Sequence, residues 1–384
     1  MSRICFNLFD AHSVFFPRDS YAFGGAEVRA VTIANQLAKS DDVYVIIKEH
    51  EKPIDIVVNK VRVISHEYFA PNQRSILKKV YYSLIYNLQF KEKISKDRYY
   101  QWRPYLNVNA EFYAAFEITE TSKMLVDFCK AFNKKFVLFI ASDGELSYDT
   151  GLAKIMNVNK ALAAYIVENA YKVFVQNNYQ LEKLFENFKV TGIQVNNPLP
   201  LNIKETIVKT GNKEYVTWIG KSSAVKQPLL FIELAKQFPE LKFCMVMNKN
   251  DESIYTEVLK NLPKNVVFKE SLPFLEVNEL LNNSKLFVNT SLYEGFPNTF
   301  LQAGCFSVPV ISLNVNPNHF LDLSSGGICC YGSVDQLKSA VQNLIMDKVL
   351  YESMSGSISK YIAANHSVDS VVTKIATHLN ILPN

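Results

Sequence analysis

Along this chain, short continuous apolar runs alternate with stretches in which apolar residues recur every three or four positions. The short runs predict buried strands, and the longer spacing predicts helices with one buried face. In the first half, strands are predicted at residues 3–9, 43–48, 61–64, 99–101, 136–140, 172–175 and 193–195, and in the second at 216–219, 243–247, 266–268, 286–289 and 308–312. Helical patterns separate them, such as Val31, Ala34 and Leu37, or Leu229, Ile232, Leu234 and Ala235. This alternation implies an α/β protein with parallel, doubly wound sheets. Asn197, Pro198, Leu199 and Pro200, followed by a polar stretch at 209–214, mark a break between an N-terminal domain over 1–198 and a C-terminal domain over 199–366, with a last helix within 367–384.

Candidate chemistry sits where predicted strands give way to helices. Residues 291–313 read SLYEGFPNTFLQAGCFSVPVISL. Glu294 and Gly295 fall at a turn, Pro297 suits a first helical turn, and free N–H groups around Phe296, Asn298 and Thr299 would face an anion with the helix dipole behind them. That arrangement suits a phosphorylated sugar. Upstream, the strand at 216–219 leads into Gly220, Lys221 and then Lys226. Two fixed cations facing one helix N-terminus would stabilise growing negative charge, lysine acting as a point charge, although such a pair also suits a solvated surface. Phe23, Gly24, Gly25, Ala26 and Glu27 precede a helix, where two glycines allow close backbone approach to a ligand or simply turn the chain. Ser142 and Asp143 follow the strand at 136–140, at the carboxyl end where ligands bind in open α/β sheets, and an Asp-Gly turn explains them structurally as well.

With the Glu294 segment, the Gly220, Lys221 and Lys226 spacing and the Gly24, Gly25 loop in this order, the chain resembles the retaining glycosyltransferases of family four, of the bacterial surface-polysaccharide type. The resemblance spans nearly all of the C-terminal half, and in the N-terminal half only the glycine loop and the strand pattern. It implies the GT-B fold, two Rossmann-like domains facing across a cleft, with the last helix crossing back to the first domain. The family carries Glu-x7-Glu; Glu294 matches its first acid, but Gln302 stands where the second grips the nucleotide ribose, and an amide can still bond hydroxyls. Lys221 stands where arginine is commoner. The resemblance makes Glu294, Lys221 and Lys226 catalytic candidates, and Gly24, Gly25, Gly220, Gly295, Phe296, Pro297, Asn298, Thr299 and Gln302 donor-binding candidates. Ser142 and Asp143 become candidate sugar or acceptor contacts, where related enzymes often present a histidine and this chain has none.

Composition narrows the alternatives. The 384 residues, 48% of them hydrophobic, suffice for two cores, and no apolar run reaches the ~18 residues of a membrane span. The N-terminus lacks a signal-peptide pattern, so a cytoplasmic location is expected. Six cysteines and six histidines show no metal-ligand spacing, there is no Asp-x-Asp, and no metal or other cofactor is expected. The absence of Gly-x-Gly-x-x-Gly after a strand argues against a dehydrogenase, and the absence of a nucleophile elbow against a hydrolase. A net charge of +4 is too mild for a nucleic-acid partner. One segment is strongly basic: Arg74, Lys78, Lys79, Lys91, Lys93, Lys96, Arg98 and Arg103 oppose only Glu92 and Asp97. It reads as a solvated amphipathic helix with a basic face, or as a contact with the anionic cytoplasmic face of a membrane.

The resulting expectation is a retaining, metal-independent transfer of sugar from a nucleotide-sugar donor to a glycan or lipid-linked acceptor. The alternatives are a non-catalytic nucleotide-sugar or glycan binding module and a nucleotide-sugar epimerase on the same fold.

Overall fold

The structure, a computed structural model, describes residues 2–16, 25–48, 54–66, 76–148, 154, 158–199 and 212–381, without the side chains of Ile76, Lys78 and Lys79. Gly24 and Arg74 lie outside the described residues. Among the described residues, fourteen strands form two sheets. The first holds β1 (Arg3–Asn7), β2 (Asp42–Lys48), β3 (Asp55–Val58), β4 (Val61–His66), β5 (Phe112–Phe116), β6 (Lys135–Phe139), β7 (Lys172–Val175) and β8 (Ile193–Gln194) in the order β3-β4-β2-β1-β5-β6-β7-β8. Its pairs are parallel except β3 with β4. The second holds β9 (Tyr215–Lys221), β10 (Lys242–Asn248), β11 (Val266–Lys269), β12 (Ser284–Asn289), β13 (Val310–Ser312) and β14 (Gly327–Cys329) in the order β11-β10-β9-β12-β13-β14, all parallel.

Central strands buried on both faces need continuous apolar sequence. FYAAF of β5 is buried at every position, and on one face Phe116, Phe139 and Phe174 stack across β5, β6 and β7 with ring centres 4.4 and 4.8 Å apart. Val371, Val372, Ile375 and Leu379 of the last helix, Val368–Leu379, pack into the core on that face. Asp369 of this helix accepts a hydrogen bond from Gln36 on the helix Gly25–Leu37.

In each sheet the strand order reverses once, between β1 and β5 in the first and between β9 and β12 in the second. Loops leaving the carboxyl ends of such strand pairs diverge to opposite faces and open a crevice. The chemistry-bearing residues of both halves lie at these two crevices.

Residues 99–101 were expected as a strand but lie inside the helix Lys96–Val108. Ser95 caps this helix by accepting from the Arg98 N–H at 3.2 Å, and Tyr99, Trp102, Tyr105 and Val108 form its buried face. Aromatic residues favour strands in general, but here their three-residue spacing and the cap decide for the helix. The strand itself is β5, absent from the sequence reading together with β3 and β14.

Candidate active site in the cleft between the two sheets

At the β9/β12 crevice the site begins with how two loops are pinned together. The Trp218 indole N–H donates to Thr290 Oγ1 at 2.9 Å, Thr290 donates to the Lys226 carbonyl at 2.7 Å, and the Leu292 N–H donates to the Val225 carbonyl at 2.8 Å. Ser222, fully buried, binds the loop after β10 by accepting from the Asn250 and Asp251 N–H groups at 2.8 and 3.0 Å. These bonds bring Lys226 Nζ to 2.8 Å from Glu294 Oε2. Asn289 Nδ2 and Ser291 Oγ hold the other carboxylate oxygen at 2.8 and 2.7 Å. Burial pushes the Glu294 carboxyl up, but Lys226, Ser291 and Asn289 together outweigh it and hold the group below the usual carboxylate range. The result is a fixed anion beside a cation, each side chain still partly open to the cleft.

Directly after Glu294 comes the helix Asn298–Cys305, whose N-terminus at Pro297 has no side-chain cap. Its first N–H groups and the positive end of its dipole are therefore free to meet an anion. Gly295 was read as giving the backbone freedom to turn; the structure gives a different reason. A Cβ there would lie 2.7 Å from the Ala141 carbonyl and from Gln176 Nε2, so glycine lets this loop close against the first domain. Amides bridge the same contact: Asn177 Nδ2 donates to the Gly295 carbonyl at 2.9 Å, Asn197 Nδ2 to the Phe296 carbonyl at 3.1 Å, and Asn298 Nδ2 to the Gly25 carbonyl at 2.6 Å. Asn298 thus ties the uncapped helix start to the start of the helix Gly25–Leu37 across the cleft.

A cavity of about 250 Å³ lies between these parts, lined from the second domain by Lys226, Glu294, Gly295, Phe296, Pro297 and Asn298. From the first domain it meets Gly25, Arg29, Glu117, Ser142 and Glu145. Glu145 receives backbone N–H bonds from Ile118, Ala141 and Ser142 at 3.0, 3.0 and 2.8 Å, tying together the loops after β5 and β6. Burial and then Glu117 push its carboxyl up to about 8, against those donors. Arg29 beside it, 2% exposed, donates to the Ile140 carbonyl at 3.1 Å, and burial lowers it to about 9 despite the attraction of Glu145.

Glu117 belongs to the site although the sequence reading passed over it. It leaves the carboxyl end of β5 with φ of +96°, a conformation costly for a side-chain-bearing residue and held here by Glu117 N–H donating to Phe139 and Ser122 Oγ donating to the Glu117 carbonyl. Its side chain lines both the 250 Å³ cavity and a second one of about 440 Å³ at the β1/β5 crevice, which also meets Asn7, Asp10, Glu27 and Lys48. Burial and then Glu27 push its carboxyl up to about 7, with Lys221 opposing and Asp10 adding.

The remaining sequence candidates are not all drawn together. Lys221, exposed at the end of β9, faces Glu117 electrostatically but does not line the 250 Å³ cavity. Gly220, Thr299 and Gln302 do not line it either. A Cβ on Gly220 would meet the Trp218 ring at 2.7 Å, and Gln302, 5% exposed, donates to Asn278 Oδ1 at 3.2 Å. Ser142 caps the short turn Asp143–Glu145. Asp143 accepts from Asn177 and Gln180 at 2.9 Å each, and burial outweighs these donors to raise it to about 7. Asp143 and Glu294 share a third cavity of about 520 Å³ with Tyr179, Tyr293, Asn316 and His319. Among the described residues, no three His, Cys, Asp or Glu side chains converge as metal ligands, and no helix is long and apolar enough to cross a membrane.

Residues 201–361 match the family described as Glycosyl transferases group 1. The chain is 24% identical over 199 residues to an uncharacterized glycosyltransferase of Haemophilus influenzae, covering 49% of this chain and 55% of that one. It is 28% identical over 162 residues to the UDP-Gal:alpha-D-GlcNAc-diphosphoundecaprenol alpha-1,3-galactosyltransferase of Escherichia coli, covering 39% of this chain and 41% of that one. The matches thus span about half the length of these relatives. Among solved structures, sucrose-phosphate synthase from Thermosynechococcus elongatus superposes with a TM-score of 0.76 at 14% identity, covering 99% of this chain and 98% of that one. TarM of S. aureus superposes at 0.74 and 13% identity, covering 99% and 100%. The two sheets facing across a cleft are the GT-B fold, with a C-terminal half similar to the group 1 glycosyl transferases.

Proposed function

We propose that this chain is a retaining glycosyltransferase of family four that moves a sugar from a nucleotide-sugar donor to a hydroxyl of a glycan or lipid-linked acceptor. The reading places it in surface-polysaccharide synthesis, in the cytoplasm or at the cytoplasmic face of a membrane. The observation that carries it is the Lys226–Glu294 pair, 2.8 Å apart at the β9/β12 crevice and followed by an uncapped helix start. In this reading the C-terminal domain, 199–366, holds the donor, and the N-terminal domain, 1–198, presents the acceptor. As the bond from the anomeric carbon to the diphosphate oxygen breaks, negative charge grows on the diphosphate. Lys226, Lys221 and the N–H groups of Phe296, Asn298 and Thr299 would meet it, supplying positive charge without a metal. Glu294, already ionised, would face the positive charge developing on the sugar. The acceptor oxygen bonds to the anomeric carbon from the vacated face, and its proton passes to a diphosphate oxygen.

The similarity to an enzyme whose name gives a lipid-diphosphate-linked sugar as acceptor supports an acceptor of that class. The binding-module reading has one observation in its favour: the Gln302 amide is buried against Asn278, outside the cavity where a ribose contact would be needed. Proton NMR of products formed from α-linked nucleotide sugars and lipid-diphosphate-linked hexosamine analogues separates the readings. An α-linked product is expected. A β-linked product contradicts retention, and nucleotide binding without product under all pairings supports the binding module.

A further inference from the structure

We propose that the third cavity of the cleft, of about 520 Å³, is a trough for an uncharged oligosaccharide, running outward from Glu294 between the two domains. The trough follows from its lining alone, whereas the role of its oligosaccharide as the acceptor chain rests on the transferase reading.

Its walls come from both domains. The first supplies Asp143, Tyr179 and Glu182, and the second supplies Tyr293, Glu294 and the segment 314–319 that follows β13. The sequence reading placed no candidate in that segment. There Asn318 and His319 both take left-handed backbone, at φ of +51° and +56°, a region that asparagine and histidine enter more readily than most residues. The Asn178 N–H of the first domain donates to Asn318 Oδ1 at 2.8 Å, which fixes the segment across the cleft. Glu294, its side chain 17% exposed, closes the inner end, and Glu182 and His319 stand exposed at the outer one. A cavity open in this way holds a chain better than a single ring.

Charge narrows the occupant. The 250 Å³ cavity, which shares Glu294, carries Lys226 and Arg29, but no lysine or arginine lines the 520 Å³ one, where Asp143, Glu182 and Glu294 supply carboxyl groups. A phosphate or carboxylate would enter beside those three acids with no lysine or arginine to meet it, whereas a sugar hydroxyl finds acceptors.

The lining also has bonding capacity to spare. Asn177 and Gln180 both donate to Asp143 Oδ1, leaving Oδ2 without a partner among the described residues. Asn289 and Ser291 occupy Glu294 Oε1, and Oε2 accepts from Lys226 alone among the described residues, so it has room for a hydroxyl. The Tyr293 hydroxyl is buried with no partner among the described residues. Such a group calls for a ligand, and sugar hydroxyls donate and accept together. Tyr179 and Tyr293 add aromatic surface for the C–H faces of a pyranose.

The test is titration by saturation-transfer NMR of the full chain with maltotetraose, cellotetraose and N-acetylchitotetraose, each beside its monosaccharide, and with an anionic hyaluronan tetrasaccharide. At least one neutral tetrasaccharide is expected to bind about tenfold more tightly than its monosaccharide and than the anionic chain, the worth of about one or two hydrogen bonds. Tyr179→Ala, which removes a wall, and Glu182→Trp, which crowds the exposed mouth, should each lower that affinity by about tenfold, with unchanged thermal midpoints showing that the variants remain folded. No binding of any neutral tetrasaccharide overturns the proposal, as does equal binding of the anionic one or binding that both variants leave intact. Binding of a nucleoside diphosphate without any tetrasaccharide removes the trough and leaves the donor seat standing. Tetrasaccharide binding that both variants weaken, in a chain that binds no nucleotide, supports the trough and contradicts the transferase reading.

Discussion

Removing the Glu294 carboxyl leaves Lys226 without its 2.8 Å partner and takes an acceptor away from Asn289 and Ser291. If the carboxylate acts on charge that exists only in the transition state, Glu294→Ala lowers turnover by about a hundredfold with little change in donor affinity, measured by separating kcat from KM. A variant with unchanged turnover removes Glu294 from the chemistry. Glu117 gives a second residue-scale prediction. Its carboxyl sits at about 7 in the fold, above the ~4.3 of an unfolded chain, so the stability it contributes is present below about pH 4 and lost as pH rises through 7. The thermal midpoint of Glu117→Gln should match wild type near pH 4 and exceed it near pH 8; an equal midpoint at both refutes the buried-carboxyl reading. Glu294 and Lys226 were legible in the sequence because each sits in a local strand-to-helix pattern. Glu117 was not, because its place at a crevice depends on β5, and the strand had been assigned to 99–101 instead.

That misplacement shows what decides an element. The aromatic run at 99–105 looks strand-like residue by residue, yet a single serine cap and a three-residue spacing wind it into a helix. FYAAF looks unremarkable because two alanines dilute it, yet it is the centre of the first sheet, where small side chains let helices pack close. The loop from β12 into the helix Asn298–Cys305 carries its own prediction. Gly295→Ala would drive a methyl to 2.7 Å from the Ala141 carbonyl, a backbone atom that cannot swing away. We expect a loss of roughly 1–3 kcal/mol, read from urea unfolding, together with a looser approach of the two domains seen as a larger radius of gyration in solution scattering. An alanine variant with wild-type stability and size would mean that the two domains do not need this close contact.

At the scale of the whole molecule, two crevices face each other, and the contacts that hold them there come from both ends of the chain. Asn177, Asn197 and Asn298 bridge the cleft, and the last helix leaves the second domain to complete the core of the first through Val371, Val372, Ile375 and Leu379. Truncation after residue 366 should therefore expose an apolar face of the first sheet and yield aggregated protein, whereas truncation after 381 should not; soluble, cooperatively folding protein from the shorter chain would contradict this. The two-domain α/β plan was visible from strand and helix alternation alone. The closeness of the domains was not, because it rests on asparagine amides and one glycine whose roles appear only when distant segments meet.

In the proposed reading, Lys226 and the helix start after Glu294 form a seat for a nucleoside diphosphate. Thermal unfolding of the full chain with UDP, GDP, ADP and TDP in turn, and with the monophosphate CMP, all without added metal, tests that seat. A ligand at ~100 times its dissociation constant contributes ~2.7 kcal/mol, a clear rise in midpoint. The account predicts that rise with one diphosphate and its loss in Lys226→Ala. No rise with any of them in well-folded protein, or a rise that Lys226→Ala leaves intact, would contradict it.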